Sequence, residues 1–495
     1  MTSMFERYRE LASLPFDGGY PTHRAARTLD EELYFQRAVQ TYLWALPAVN
    51  VCAMRDGLGG AFGYGYQVVA VFEQRLKPRT VITTPNCDVI YGMAFADLSV
   101  TGPLVVEAPP GIQGLVDDFW HRPLTGPLID GVQYRGDIGL PGPDAGKGGR
   151  YLVVPDGLEP ENEGDWDDYF VYRSTTDGIY FLLRGFFTSV DDLSPGVESV
   201  ESIRFHPLAG DTAPMQFVHA SDTPVDALFP RDAAFYDALD AFVQADRVDQ
   251  VDPYMHGVLA ALGIRKGQPF DPTPRRRELL DLAARTAWKM AKTAAAEFDR
   301  EPDALWWADR QWVAHAKTKQ DDFWHTLLDE EFRDRTTGHT DVNAKAHMFV
   351  NHYSVSTGMM GSTVGAGAKY ANAYRDHDGD LLRGEDTYRI DLPADPPAQL
   401  FWSLTLYDAD TAAEVDADGQ TFSSLNGMND IVFNPDQSIT LHTGPERPDG
   451  APNWIRTVPG HGWFAIIRFY GPEEAFFEGL YKPGDFVKVT TDPAA

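Results

Sequence analysis

Apolar and polar positions change period several times along the chain, and the changes mark out its organisation. From Asp30, "DEELYFQRAVQTYLWALPAVNVCAM" places Leu33, Val39, Tyr42, Leu43, Leu46 and Val49 at helical spacing. Asp30 suits the N-cap, and Pro47 is expected to kink or end the helix one turn early. Between residues 80 and about 220 the pattern shortens to β-runs punctuated by Gly and Pro: "TVITT", "VIYGMAFADL", "PLVVEAP", "RYLVVP", "YFVYRS" and "IYFLLRGFF". Alternation in "PLVVEAPP" puts Leu104 and Val106 on one face and Val105 with Glu107 on the other.

Helical spacing returns from roughly 226 to 360. In "TPRRRELLDLAARTAWKMAKTAAAEF", Pro274 suits the first turn, and Leu280, Ala284, Ala287, Ala291, Ala294 and Phe298 form an apolar stripe. Its small residues imply close approach to a neighbouring element. "DALWWADRQWVAHAKTKQDDFWHTLLDEEF" reads as further helix, and another runs from about Asp341 to Ser354. Strands resume near 370 with "DTYRIDL", "LFWSLTLYDAD", "ITLHT" and "GWFAIIRFYGP". The predicted fold class is α+β, mainly β: two antiparallel β-sandwich-like domains with helical segments before and between them. The boundaries read as a helical segment over 1–77, a first β domain over 78–225, a helical region over 226–364 and a second β domain over 365–495.

Length supports more than one domain, because 495 residues exceed the ~250–300 that one core serves. Charge narrows the partners: 73 acidic against 42 basic residues give −31, a field that repels phosphate backbones and anionic membranes. Neither nucleic acid nor membrane is expected as a partner. Only Cys52 and Cys87 occur, which excludes a disulfide framework. The N-terminal stretch is charged throughout, without the apolar centre of a signal peptide, and no run approaches ~18 apolar residues. The expected setting is cytoplasmic, as a homo-oligomer.

Read together, the two β regions resemble a known family. "TTPNCDVIYGMAFADLSVTGPLVVEAPP" with "GRYLVVPDG", and later "DTYRIDLPADPPAQLFWSLTLYDADT", "FNPDQSITLHTGPERP" and "NWIRTVPGHGWFAIIRFYGP", are similar to bacterial proteins with tandem domains of unknown function. These are catalogued as 1254 at the N-terminus and 1214 at the C-terminus. The resemblance covers about 35–495. Its Pro-Asn-x-Asp-x-x-Tyr run falls on Pro85, Asn86, Asp88 and Tyr91, and its Trp-Ser-Leu-Thr-x-Tyr-Asp run on Trp402 to Asp408. Cys87 stands where the family has a second Asn, and "GIQGLVDDFWHRPL" departs from the family's aromatic-rich strand. The resemblance implies two β domains around a helical region, and no settled chemistry beyond descriptions as hydrolases or secreted proteins.

Signatures of nucleophile elbow, Walker loop, zinc helix and complete dinucleotide loop are absent from the sequence. "DHDGD" begins like a calcium loop, but Gly379 comes two positions early and Thr387 fills the slot of the bidentate Glu, so a hairpin turn is expected instead. His347 and His352 are five apart, about 140° around a helix, which is wrong for zinc. No metal or cofactor is expected. His347 and Asn351 form a polar stripe expected to be solvated or hydrogen-bonded. "DDFWHRP" brings Asp117 and Asp118 near His121, and is read either as an exposed acidic loop or as an oriented imidazole.

Asn86 and Asp88 admit two readings: Asx-type bonds that end one strand, or a carboxylate oriented by Asn86 as a general base. On the second reading the catalytic residues are Asp88, Asn86, Tyr91 and His121, and Trp120, Trp306, Trp307, Tyr353, Trp402 and Tyr407 wall a substrate site. The expected activity is acid–base or hydrolytic chemistry on a small, largely apolar or aromatic molecule, in a pocket between the first β domain and the helical layer. The alternatives are a non-catalytic small-molecule carrier or scaffold, and a metal-dependent hydrolase.

Overall fold

In the computed structural model, described for residues 4–162, 164–248, 251–297, 304–314, 317–320, 323–326 and 328–489, each β region folds as a pair of sheets. The inner sheet of the first sandwich runs in the order Asp137–Gly139, Gln113–Asp118, Gly178–Gly185, Ile90–Asp97, Val68–Val71, Gln216–His219. Strand alternation explains its burial. Ile90, Ala94, Phe181 and Leu183 pack on Leu104, Val106 and Tyr151 of the outer sheet. Tyr91, Met93, Tyr180 and Leu182 face the opposite way and join the core shared with the helices. A sheet covered on both faces needs near-continuous apolar strands, which is why "IYFLLRGFF" carries so few polar residues.

The second sandwich repeats this plan. Its inner sheet, in the order Trp312–Val313, Ala368–Ala373, Trp463–Pro472, Ala398–Asp408, Ser424–Asn426, packs Leu404, Leu406, Ile467 and Phe469 against Ile390, Ile439 and Leu441 of its outer sheet. The reverse face, with Phe401, Tyr407, Phe464, Ile466 and Tyr470, belongs to the same core as the helices and the first inner sheet. Most pairs are antiparallel. Parallel pairs join Gly149–Pro155 to Phe170–Ser174, Val68–Val71 to Gln216–His219, Thr80–Val81 to Val225–Asp226, and Ile439–Gly444 to Trp454–Arg456.

The first long helix spans His23–Phe62, so the expected start at Asp30 is corrected: Thr22 is the N-cap and accepts from the Ala25 N–H at 3.3 Å. Pro47 neither ends nor divides it. A proline inside a helix costs ~3 kcal/mol or more, and here Ala45, Leu46, Ala48, Val49 and Val51 are all fully buried around it, so packing outweighs the lost bond. The helix Pro274–Glu297 lies against it through Ala283, Ala284, Ala287 and Ala291, the close approach that the small residues foretold. Phe298, placed on that stripe from sequence, lies outside the described residues.

The helix expected across 303–332 is also corrected over the described residues of that stretch. Short strands stand there instead, at Trp312–Val313, Lys317–Gln320 and Phe323–Thr326. Trp312 pairs with Ala373 at the edge of the second inner sheet, and its indole N–H donates to the Gly484 carbonyl at 2.9 Å. Aromatic residues suit a pleated, half-buried edge as well as a helix, so spacing alone misassigned the segment.

Candidate functional site

The inward faces of the two inner sheets meet around a cavity. Tyr91, Leu182 and Arg184 come from the first sheet, and Tyr370, Asn372, Ile466 and Arg468 from the second. His352, Tyr353 and Ser354, just beyond the helix Val342–Asn351, form one side, and Thr84, Asn86, Trp306, Met359, Met360 and Lys369 are among the other wall residues. The centre of a water molecule can move through about 100 Å³ of this space.

A hydroxyl, an imidazole and an amide converge on it. Thr84 Oγ1 lies 2.8 Å from His352 Nδ1, and the Asn372 amide nitrogen lies 3.5 Å from His352 Nε2. In that orientation Asn372 Oδ1 is buried without a partner. Buried polar atoms are rarely left so, and amide orientation is set by the bonds it makes. With the amide turned by 180°, Oδ1 would accept from Nε2 and the amide NH2 would take the unpartnered place facing the cavity wall. In that orientation Nδ1 would accept the Thr84 hydroxyl proton. Asn50, buried on the first long helix, holds the arrangement by donating to the Thr83 hydroxyl at 3.5 Å and to the carbonyls of Phe349 and His352 at 3.4 Å.

Two of these wall residues are held in strained backbone. Thr84 has φ of 38° and Ser354 has φ of 64°, the left-handed region that a β-branched residue in particular avoids. Each such residue costs ~1–3 kcal/mol, and persists where the surrounding structure over-determines it. Thr84 is tied down through its N–H, which donates to the Ala412 carbonyl of the second sandwich at 2.5 Å. Ser354 Oγ donates to buried Asp117 at 2.7 Å.

Asp88 sits beside this cavity without lining it. It is 1% exposed, and Ser424 Oγ donates to it at 3.0 and 3.2 Å, Asn426 Nδ2 at 2.8 Å and Arg75 at 3.3 Å. Ser424 and Asn426 belong to the second sandwich, so this carboxylate ties one β domain to the other. The Asx turn read from sequence is present as well: the Asp88 N–H donates to Asn86 Oδ1 at 2.7 Å. The Asn86 amide also reaches across to the Tyr470 hydroxyl. Tyr407 lies nearby, donating to the Pro85 carbonyl at 2.5 Å and accepting from Arg468 at 2.7 Å.

Asn86, Tyr91, Trp306 and Tyr353 therefore share the cavity wall, whereas the remaining sequence-named residues lie elsewhere. Trp120 and His121 line a second cavity, where Trp120 packs at 4.5 Å on Trp44 and His121 stacks at 5.6 Å on Phe349. "DDFWHRP" is no exposed loop: Asp117, Asp118 and His121 are all buried, and Asp118 accepts from the N–H groups of Trp120 and Arg122. Trp307 and Trp402 belong to the core of the second sandwich. His347 and Asn351 are buried and bond the Tyr374 hydroxyl at 3.1 and 3.3 Å. Asp376 accepts from the N–H groups of Asp378 and Asp380, the turn expected of "DHDGD". Among the described residues no group of three or more His, Cys, Asp or Glu is placed to hold a metal ion, and no helix is long and apolar enough to cross a membrane.

Burial sets the ionisation of the cavity's surroundings. It pushes the Tyr91 and Tyr353 phenols up, so both remain neutral donors. It raises Asp137 to about 7 and Glu414 to about 8, and lowers Lys369 to about 7. Thr84, Arg184, Asn372 and Arg468 were not singled out from sequence. The arginines did leave a signal, each being a lone cation in an otherwise apolar strand.

Comparison with known proteins agrees with this architecture. Residues 67–207 match the model described as "Protein of unknown function (DUF1254)" and residues 367–474 the one described as "Protein of unknown function (DUF1214)". No curated protein matches. Among solved structures, the VPA0106 protein from Vibrio parahaemolyticus is similar at a TM-score of 0.53 and 16% identity, covering 92% of this chain and 100% of its own. An uncharacterized protein from Burkholderia cenocepacia aligns over 97% of this chain and 98% of its own, at 14% identity and a TM-score of 0.39. At this identity the Vibrio protein speaks for the fold alone. The chain thus belongs to the proteins that carry a DUF1254 domain followed by a DUF1214 domain.

Proposed function

We propose that the cavity between the inner sheets carries out acid–base or hydrolytic chemistry on a small, largely apolar or aromatic molecule, in a cytoplasmic homo-oligomer. The observation behind this reading is the hydrogen-bonded row Thr84–His352–Asn372 opening into a space walled by Tyr91, Tyr353 and Met360. A base oriented by an amide and paired with a hydroxyl is the arrangement that proton abstraction requires. His352 takes the proton of the Thr84 hydroxyl, and Asn372 holds the ring in the tautomer whose Nδ1 accepts it. Tyr91 and Tyr353 supply neutral phenol donors to an oxygen that gains charge. Asp88, enclosed by its three donors, orders the wall of the site in this scheme.

Turnover of p-nitrophenyl esters of short and aromatic acids tests the reading. His352→Gln should lower kcat by ~100-fold or more while the circular dichroism spectrum and denaturation midpoint hold, the scale of a lost general base. Thr84→Val should do the same. A His352→Gln protein as active as its parent would refute the assignment. A parent inert toward such esters, yet saturably binding their acids, would favour a carrier.

A further inference from the structure

Arg184 and Arg468 project into this cavity from opposite sheets, and both are buried, at 6% and 3% exposure. Among the described residues neither is ion-paired with a carboxylate, and Arg184 makes no hydrogen bond; its Nε is enclosed without a partner. Arg468 donates to the Thr405 and Tyr407 hydroxyls at 3.2 and 2.7 Å, which leaves the rest of its fork unused. Their other neighbours are aromatic faces. The Arg184 guanidinium lies 5.9 Å from the Tyr91 ring, and that of Arg468 lies 5.8 Å from Tyr370 and 5.5 Å from Tyr407.

A buried guanidinium is ordinarily paired, because desolvating a charge is expensive. Two buried carboxyls act on these arginines through charge alone, without a hydrogen bond. Asp137, whose charge acts on Arg184, and Glu414, whose charge acts on Arg468, are both pushed upward by burial toward their protonated forms. Asp137 is further engaged by the Gly358 N–H at 2.7 Å. Two guanidinium groups therefore face one enclosed space that the Lys369 amine also lines, and among the described residues neither guanidinium is ion-paired with a carboxylate, while Lys369 donates to the Met359 carbonyl at 2.7 Å.

We propose that the cavity's ligand carries a carboxylate, held by Arg184 and Arg468, on a small apolar or aromatic body that packs against Tyr91, Tyr370 and Met360. A carboxylate matches the planar fork of a guanidinium and would satisfy the donors that Arg184 leaves unused. The tyrosine rings suit the remainder of such a molecule. This inference rests on the cavity being the ligand site, and it adds the charge of the molecule bound there.

The test is calorimetric titration of the full-length protein with sodium benzoate and with benzyl alcohol at equal ionic strength, together with a crystal soaked in sodium bromide. Benzoate should bind at least ~10-fold more tightly than the alcohol, since a site built for a polar partner rejects the analogue that lacks it. Bromide should give an anomalous peak beside the two guanidinium groups. Arg184→Met should remove the preference while the protein stays folded, because no hydrogen bond is lost with the side chain. Arg184→Lys, which keeps the charge without the fork, should retain a weakened preference. Equal affinity for both probes would overturn the carboxylate and leave the cavity reading standing. Absence of both bromide and benzoate from the cavity, or an Arg184→Met protein that binds benzoate as its parent does, would overturn it too.

Discussion

Replacing Asp88 with alanine separates a tether from a reactive group. The substitution removes the acceptor of Ser424 Oγ and Asn426 Nδ2 and leaves the Arg75 guanidinium, 3.3 Å away, buried without its counter-charge. Breaking one side of a buried ion pair costs ~3–5 kcal/mol, because the surviving charge stays desolvated. At ~2–4 °C per kcal/mol for domains of 150–250 residues, the thermal midpoint should fall by ~6–20 °C. Arg75 keeps the Cys87 carbonyl and the Phe422 ring, 3.9 Å from its Cζ, so the lower half of that range is favoured. Adding Arg75→Met should recover much of the loss, since removing both charges leaves none unpaired. Urea denaturation of the parent, the single variant and the double variant measures all three. A loss below ~1 kcal/mol for Asp88→Ala would refute the tether. A stable variant without turnover would return the carboxylate to the chemistry.

Three further outcomes are expected. Asn372→Asp fixes an acceptor beside His352 Nε2 and should retain turnover, whereas Asn372→Leu should reduce kcat ~10-fold or more with little change in KM; equal activities would remove Asn372 from the positioning role. Thr84→Gly relieves a φ of 38° and should raise the unfolding free energy by up to ~1 kcal/mol while abolishing turnover, so a destabilised glycine variant would refute stored strain. Burial raises Glu414 from 4.5 to about 8, so the unfolded chain releases this proton at lower pH than the fold does. Stability should therefore fall as pH rises from 4.5 to about 8, by no more than about 5 kcal/mol from this group, and be flat above. Glu414→Gln should remove that slope in urea titrations at pH 5, 7 and 9, and an unchanged slope would show that Glu414 does not titrate in the window.

Much of the fold could be read from periodicity because each inner sheet is covered on both faces, which makes its strands uninterrupted apolar runs. The segment around Trp312 misled because a short edge strand anchored by indoles looks the same as an apolar helix face over a few residues. At the site, the Asx turn of Asn86 was legible, being a contact over two residues. The pairing of Thr84 with His352 spans 268 positions, and spacing on the helix spoke only against zinc, so His352 was set aside for a reason unrelated to its contacts. Trp307 and Trp402 show the opposite failure: aromatic content cannot tell a cavity wall from a sandwich core when both are apolar.

The site's placement follows from the same double coverage. In a sheet buried on both faces the ladder bonds satisfy the backbone, and every side chain meets protein rather than water. A single Arg184 in "IYFLLRG" or Arg468 in "FAIIRFY" is then costly unless the fold gives it a partner or a space in which one can bind. The first sheet supplies Arg184 and the second Arg468 and Lys369, each with tyrosines, to the same space, and neither encloses that space alone. Contacts that align the halves include Asp88 to Ser424 and Asn426, Thr84 to Ala412, Pro85 to Tyr407 and Asn86 to Tyr470, which all leave residues 84–88 for the second sandwich. The stretch that reads locally as a turn after a strand thus works at long range. Its strained Thr84 and its caged Asp88 are consequences of one requirement, that two β sandwiches sharing one core hold the inner faces that carry Arg184 and Arg468 in a fixed register.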